Sequence, residues 1–242
     1  MSQIAENYLR IREEVRKACE SGGFAPDHAT LIAVSKTRTV EEILEAYEAG
    51  ARDFGENKVQ ELLEKIPQLP ADIRWHMIGH LQTNKVRKIV GKVALIHSVD
   101  TEHLAREISR ISQEEGLVSD VLAEVNLGEE ESKFGLTGEG AMAFARETAL
   151  LPGIRLKGLM TVAPYVPDPE ENRELFRKLR QISIDISSQN IDNSSGEKIR
   201  ADILSMGMSG DYRVAAQEGA VYVRVGTGIF GERDYSKHGY NG

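Results

Sequence analysis

Eight short strand candidates, each but the last leading into a segment with helical spacing, constrain this chain more than any other feature. The stretches are 31–35, 52–55, 74–79, 95–99, 120–126, 155–162, 203–206 and 221–225. Between them, 40–49, 58–66, 83–90, 102–115, about 140–150, 169–187 and 211–218 repeat apolar residues with the period of a helix. Strict alternation implies parallel strand pairing through right-handed crossovers. Eight such units in 242 residues fit a closed barrel better than an open doubly wound sheet, and no G-x-G-x-x-G follows the first strand. The expected fold is therefore α/β, a single (β/α)8 TIM-like barrel with an additional N-terminal helix. That helix, 3–20, carries Ile4, Tyr8, Ile11, Val15 and Ala18 on one face and stops at Ser21-Gly22-Gly23. One domain is expected over 1–242, with the barrel at about 30–233. The eighth outer helix is either the N-terminal one or one from the tail. The stretch 188–200 reads as an irregular, mobile excursion.

Charge and composition exclude several function classes. Thirty Lys and Arg against 38 Asp and Glu give a net charge of −8, which argues against a general nucleic-acid binder. Lys85, Arg87, Lys88 and Lys92 form a local basic cluster, read as a solvated helix face. A lone cysteine, Cys19, rules out an internal disulfide framework and reads as a buried structural thiol. No apolar run approaches a membrane span and the start lacks a signal-like h-region, so a soluble, cytoplasmic protein is expected.

In a barrel, residues just past each strand share one mouth. Here they are Lys36, Asn57, Gly79-His80, Asp100, Asn126, Thr161, 205–209 and 224–227, mostly polar after apolar strands. Lys36 ends T-L-I-A-V-S-K, and a desolvated lysine amine can form a Schiff base with a carbonyl compound. The last two ends, S-M-G-M-S-G-D and R-V-G-T-G-I-F-G, place glycine backbone beside the hydroxyls of Ser209 and Thr227, with the start of helix 211–218 nearby. Loops seven and eight are where barrels commonly bind phosphate, so these read as an anion site. Arg224 lies within the eighth strand and, if it points inward, requires an anionic or hydrogen-bonding partner. Asn57 and Asn126 suit either ligand contact or turn chemistry. His76 and His80 straddle a strand end without a third ligand, so no metal is expected, and His97 and His103 read as ordinary polar positions. Arg38, Lys85 and Lys133 are candidates for a second anion contact at the mouth.

Ordered motifs then carry a resemblance. V-S-K-T-R at 34–38, F-G-E-N-K-V-Q at 54–60, W-H-M-I-G-H-L-Q-T-N-K at 75–85 and H-S-V-D at 97–100 resemble the pyridoxal phosphate homeostasis proteins, the YggS-like or PROSC-like family. So do V-N-L-G-E-E-E-S-K-F-G at 125–135, G-L-M-T-V-A-P at 158–164 and the two glycine loops. The family is similar to the N-terminal barrel of alanine racemases. The resemblance implies that Lys36 carries pyridoxal 5′-phosphate as a Schiff base, the internal aldimine. It also implies that Ser209, Gly226 and Thr227 hold the phosphate, that Arg224 lies near the pyridine nitrogen, and that Asn57 and His80 line the site. Gly210 departs from the pattern, since many relatives have an acidic or other polar residue there.

An arginine at the ring nitrogen would leave it unprotonated and make the ring a weak electron sink. Related racemases add a second domain with an opposing base, whereas only a short tail of 17 residues follows the last strand here, among them Tyr235 and Tyr240. The expected role is a cofactor carrier in vitamin B6 homeostasis with little or no turnover, a monomer that supplies apo enzymes dependent on pyridoxal phosphate. The alternatives are a racemase-like enzyme using Lys36 as base and a cofactor-free Schiff-base aldolase acting on a phosphorylated sugar.

Overall fold

A computed structural model of the chain describes residues 1–128 and 135–232. Its strands are β1 (Thr30–Val34), β2 (Asp53–Glu56), β3 (Arg74–Met77), β4 (Leu95–Val99), β5 (Ser119–Glu124), β6 (Ile154–Met160), β7 (Ile203–Ser205) and β8 (Tyr222–Val225). All pair in parallel in sequence order, and β8 closes on β1 with Ile32 opposite Arg224, giving a closed barrel. The helices are α1 (Gln3–Ser21), α2 (Val40–Glu48), α3 (Val59–Lys65), α4 (Val86–Ile89), α5 (Glu102–Glu114), α6 (Gly138–Ala149), α7 (Arg173–Ser188), α8 (Tyr212–Gln217) and α9 (Thr227–Phe230). The expected (β/α)8 barrel with an extra N-terminal helix is what the chain forms. Lys133, Tyr235 and Tyr240 lie outside the described residues.

Short polar side chains set several helix starts. Ser2, Thr101 and Thr137 each accept an amide of the first turn, and Thr39 with Glu42 forms a reciprocal capping box. Helix α1 packs on α2, α8 and α9, and so covers the gap between the first and last units of the ring. Its face of Tyr8, Ile11, Val15 and Cys19 is buried, and Glu14 holds Tyr212 and Arg213 of α8. The main core fills the layer between sheet and helices. A separate cluster of Leu95, Leu122 and Met160, with Ile203 and Tyr222, comes from five successive strands and occupies part of the barrel's inside.

Some expected elements take a different form. Residues 189–200 hold no helix or strand, in keeping with a loop-like stretch, but are tied by a small turn: Asp192 bridges Lys198, Asn193 N–H donates to the Glu197 carbonyl, and the Asn193 side chain accepts from Ser195 and Glu197. Residues 227–230, read as glycine loop, form a helical turn. The basic cluster splits, with Arg87 engaging Glu114 and Glu115 while Lys85 and Lys88 border a cleft. Among the described residues no helix is long and apolar enough to cross a membrane.

The β6–β7 contact leaves no room for a side chain at Gly158, where a Cβ would lie 1.9 Å from the Ile203 carbonyl oxygen. Gly158→Ala is expected to cost about 1–3 kcal/mol, read as a lower urea midpoint at unchanged slope. An unchanged midpoint would contradict this register.

Candidate functional site

Lys36 follows β1 by two residues, and its loop is held by a buried ionic cluster. Lys65 of α3 donates from Nζ to the Ser35 carbonyl at 2.8 Å and to Glu56 Oε1 at 2.7 Å, and lies 3.4 Å from Glu61 Oε2. Ser35 Oγ donates to the same Glu56 oxygen at 2.7 Å. Thr37 then takes a left-handed conformation, φ 62°, and donates its amide to Glu61 Oε2 at 2.7 Å. A β-branched residue is rare in that region and needs such a hold. Burial pushes the Glu56 carboxyl upward in pKa, with Lys65 opposing, and Glu56 Oε2 is buried with no hydrogen-bond partner.

Beside β1 stands β8, so Lys36 and the eighth loop occupy neighbouring strand ends. Thr227 Oγ1 donates to Ser209 Oγ at 3.0 Å, and the Gly228 amide donates to the same oxygen at 3.3 Å. Loops seven and eight therefore converge on one cluster of hydroxyls and amides. Gly207, φ 88°, makes the turn after β7, where a Cβ would meet the Ala215 Cβ at 2.5 Å. A Cβ at Gly210 meets nothing within 4 Å, so the loop is not built around glycine at that departure. The start of α8 differs from expectation because Asp211 already sits there. Its carboxylate accepts from the Met208 amide at 2.7 Å and from Asn172 at 2.8 Å. That carboxylate disfavours a second anion at the helix end, which leaves the Ser209–Thr227 junction as the donor cluster.

Arg38, a candidate anion contact, is instead committed to structure. It is buried, donates from Nη2 to the Gly231 carbonyl at 2.5 Å and lies over the Phe230 ring. It thereby ties the Lys36 loop to the end of α9.

Arg224 points into the barrel. Its Nη1 donates to Ser205 Oγ at 2.5 Å and its Nη2 to the Thr161 carbonyl at 2.7 Å. Burial pulls its pKa down to about 10, against the charges of Glu124 and Asp211, so it is a cation at neutral pH. Glu124, at the end of β5, is pushed up to about 7 by burial and the Asp100 charge, with Arg224 opposing. Asn57 flanks Lys36 on β2's side, since Val34 pairs with Gly55, and its Oδ1 is buried without a partner. Gly79 allows close approach here, for a Cβ would lie 2.4 Å from the Asn57 carbonyl oxygen. His80 stands at the rim, exposed, with Nδ1 3.5 Å from Asp100 Oδ2, beside a cleft of about 320 Å3 that Lys85 also lines.

The structure thus brings Lys36, Asn57, Ser209, Arg224, Gly226 and Thr227 to one end of the barrel and sets His80 at its edge. His76 is separate, buried in the interior between Asp53 and His97. His97 is also fully buried there rather than an ordinary polar position. Among the described residues no group of three or more His, Cys, Asp or Glu is arranged to hold a metal. Sequence reasoning missed Glu56, Glu61 and Lys65 under the lysine loop, and Glu124 in the mouth.

Comparison with known proteins gives this site a context. The model of the alanine racemase N-terminal domain matches residues 1–234. A pyridoxal phosphate homeostasis protein of Aquifex aeolicus is 44% identical over 231 residues, 95% of this chain and 98% of its own. The chain belongs to the pyridoxal phosphate homeostasis protein family. The Pseudomonas aeruginosa member is 39% identical over 97% of this chain and 98% of its own. Among solved structures, PipY of Synechococcus elongatus with PLP bound is 36% identical, with a TM-score of 0.79 over 94% of this chain and all of that one. An alanine racemase of Clostridium difficile shares the fold, with a TM-score of 0.70 at 13% identity over 91% of this chain and 57% of its own.

Two tests address the site's electrostatics. Lys65→Met leaves Glu56 and Glu61 buried without their cation and is expected to cost about 3–5 kcal/mol in chemical denaturation, partly recovered by adding Glu56→Leu. A wild-type midpoint in Lys65→Met would contradict the clamp. For Glu124, the folded carboxyl binds its proton more tightly than the ordinary 4.5, so its contribution is intact below about pH 4.5 and lost as pH rises to about 7. Glu124→Gln is expected to remove a decline on the order of 3 kcal/mol across that window. Parallel stability–pH curves for the two proteins would contradict the assignment.

Proposed function

We propose that this protein binds pyridoxal 5′-phosphate in the barrel mouth, as a Schiff base on Lys36, and holds it for cellular vitamin B6 homeostasis with little or no turnover. The observation that carries the reading is the placement of the amine-bearing loop of β1 beside the hydroxyl and amide cluster of Ser209, Thr227 and Gly228, with the Arg224 cation buried near both. The donor set fits the group. Hydroxyls and backbone amides suit a phosphate, the lysine suits its aldehyde, and the orphaned Asn57 Oδ1 can accept from a polar ligand. PLP bound to PipY at 36% identity, and the homeostasis name shared by the relatives, support the same assignment.

When bound, this cofactor supplies an electron-withdrawing ring. The chain's own residues decide how much of that capacity is used. Ser209, Gly226 and Thr227 would hold the phosphate, Arg224 would face the ring nitrogen, and Asn57 and His80 would line the site. A guanidinium there offers no proton to the nitrogen, unlike a carboxylic acid, so carbanion stabilisation stays weak. This favours storage and delivery to apo enzymes over catalysis.

The test begins with an absorbance spectrum after pyridoxal phosphate is added, then borohydride reduction and peptide mass mapping. A visible band and label on Lys36, both lost in Lys36→Ala, are expected. Ser209→Ala with Thr227→Val should weaken uptake by about tenfold or more, as loss of about 1.4 kcal/mol implies. Label on another lysine would contradict the anchor. Exchange of the α-hydrogen of amino acids with solvent, abolished by Lys36→Ala, would favour the racemase-like reading. A protein that takes up no cofactor would move the weight to a Schiff-base aldolase.

A further inference from the structure

Barrel interiors of this kind are usually packed with branched apolar side chains, yet one hydrogen-bonded column runs through this one. Arg74, whose side chain is 58% exposed at the start of β3, grips Asp53 through Nε at 2.9 Å and Nη2 at 2.5 Å. Asp53 Oδ1 lies 3.0 Å from His76 Nε2, and His76 Nδ1 lies 2.9 Å from His97 Nε2. His97 Nδ1 lies 2.8 Å from Ser205 Oγ, which accepts from Arg224 Nη1 at 2.5 Å. Asp53, His76, His97, Ser205 and Arg224 are all buried, on β2, β3, β4, β7 and β8.

The donors and acceptors of this column run one way. Burial works against the Asp53 carboxylate, but hydrogen bonds from His76 and Arg74 prevail and hold its pKa below the usual range, so it accepts only. His76 must then carry hydrogen on Nε2. If that hydrogen is the ring's only one, its Nδ1 accepts and His97 donates from Nε2. Burial, with the charge of Arg224 adding to it, keeps His97 neutral, so with its one hydrogen on Nε2 its Nδ1 accepts the Ser205 hydroxyl hydrogen. Ser205 keeps its lone pairs for Arg224. On that assignment each link follows from the one before it, back to the Asp53–Arg74 pair at the far end of the column.

We propose that Asp53, His76, His97 and Ser205 are positioning residues that orient the Arg224 guanidinium through this directional chain. The idea rests on the reading that Arg224 faces the cofactor ring, and it supplies the reason that a polar column replaces apolar packing. A hydrogen placed on His76 Nδ1 would force His97 to the opposite tautomer and take away the acceptor of the Ser205 hydrogen.

Long-range 1H–15N NMR on the protein free of pyridoxal phosphate reads the column directly. Both rings are expected as neutral Nε2–H tautomers at neutral pH, with restrained Arg224 Nη signals that average in Ser205→Ala, while the backbone amide spectrum of that variant stays that of the folded protein. An Nδ1–H tautomer or an imidazolium at either ring, or Arg224 signals unchanged in Ser205→Ala, would overturn the proposal. Added pyridoxal phosphate is expected to bind about tenfold more weakly to Ser205→Ala and His97→Phe, with a shifted pH midpoint of the visible band. Wild-type affinity and midpoint in both variants would also overturn it. If the wild type takes up no cofactor, the functional reading fails on its own, while the NMR still judges the column.

Discussion

A full positive charge sits inside this barrel, and much of the interior is arranged to tolerate it. An unpaired guanidinium in such a place would be prohibitively costly. Arg224 avoids that through Ser205 and the Thr161 carbonyl, and through the charges of Glu124 and Asp211. The apolar plug of Leu95, Leu122 and Met160 shares the interior with it. Low polarizability around the site strengthens each of these links, and would make any one left open expensive.

The second constraint lies at Lys36. Its neighbour Thr37 occupies a strained backbone region, and the Lys65 cluster bridges the Ser35 carbonyl, Glu56 and Glu61 to hold it. Arg38 extends the same loop to the Gly231 carbonyl at the end of α9. The amine loop and the phosphate-type donors are therefore parts of one rigid corner, the β1–β8 seam, and a ligand that bridges them would meet a preorganised site.

The fold was legible because the strands are mostly buried and most read as short apolar runs, so all eight were placed within two residues at each end, inside the boundary scatter expected of sequence reading. Lys36, Ser209, Arg224 and Thr227 were legible because strand ends in a barrel share one mouth. Glu61 and Lys65 were not, since charges on α3 look like any solvated helix face until the loop above covers them, and Glu56, at the end of β2, likewise looks solvated. His76 and His97 were missed as partners because an inward direction depends on register, and the sheet shifts register between Ile96 and Val99 and again between Val121 and Leu122. Helix α9 escaped because a four-residue turn rich in glycine reads as loop. Arg38 reads as an anion contact because nothing local signals its distant carbonyl partners.

The most direct measurement is a crystal structure of the protein soaked with pyridoxal phosphate. The account predicts density continuous from Lys36 Nζ to the ligand, with the phosphate against Ser209, Thr227 and Gly228 and the ring nitrogen opposite Arg224. Ligand held elsewhere on the barrel, or Arg224 turned away from the ring nitrogen, would contradict it.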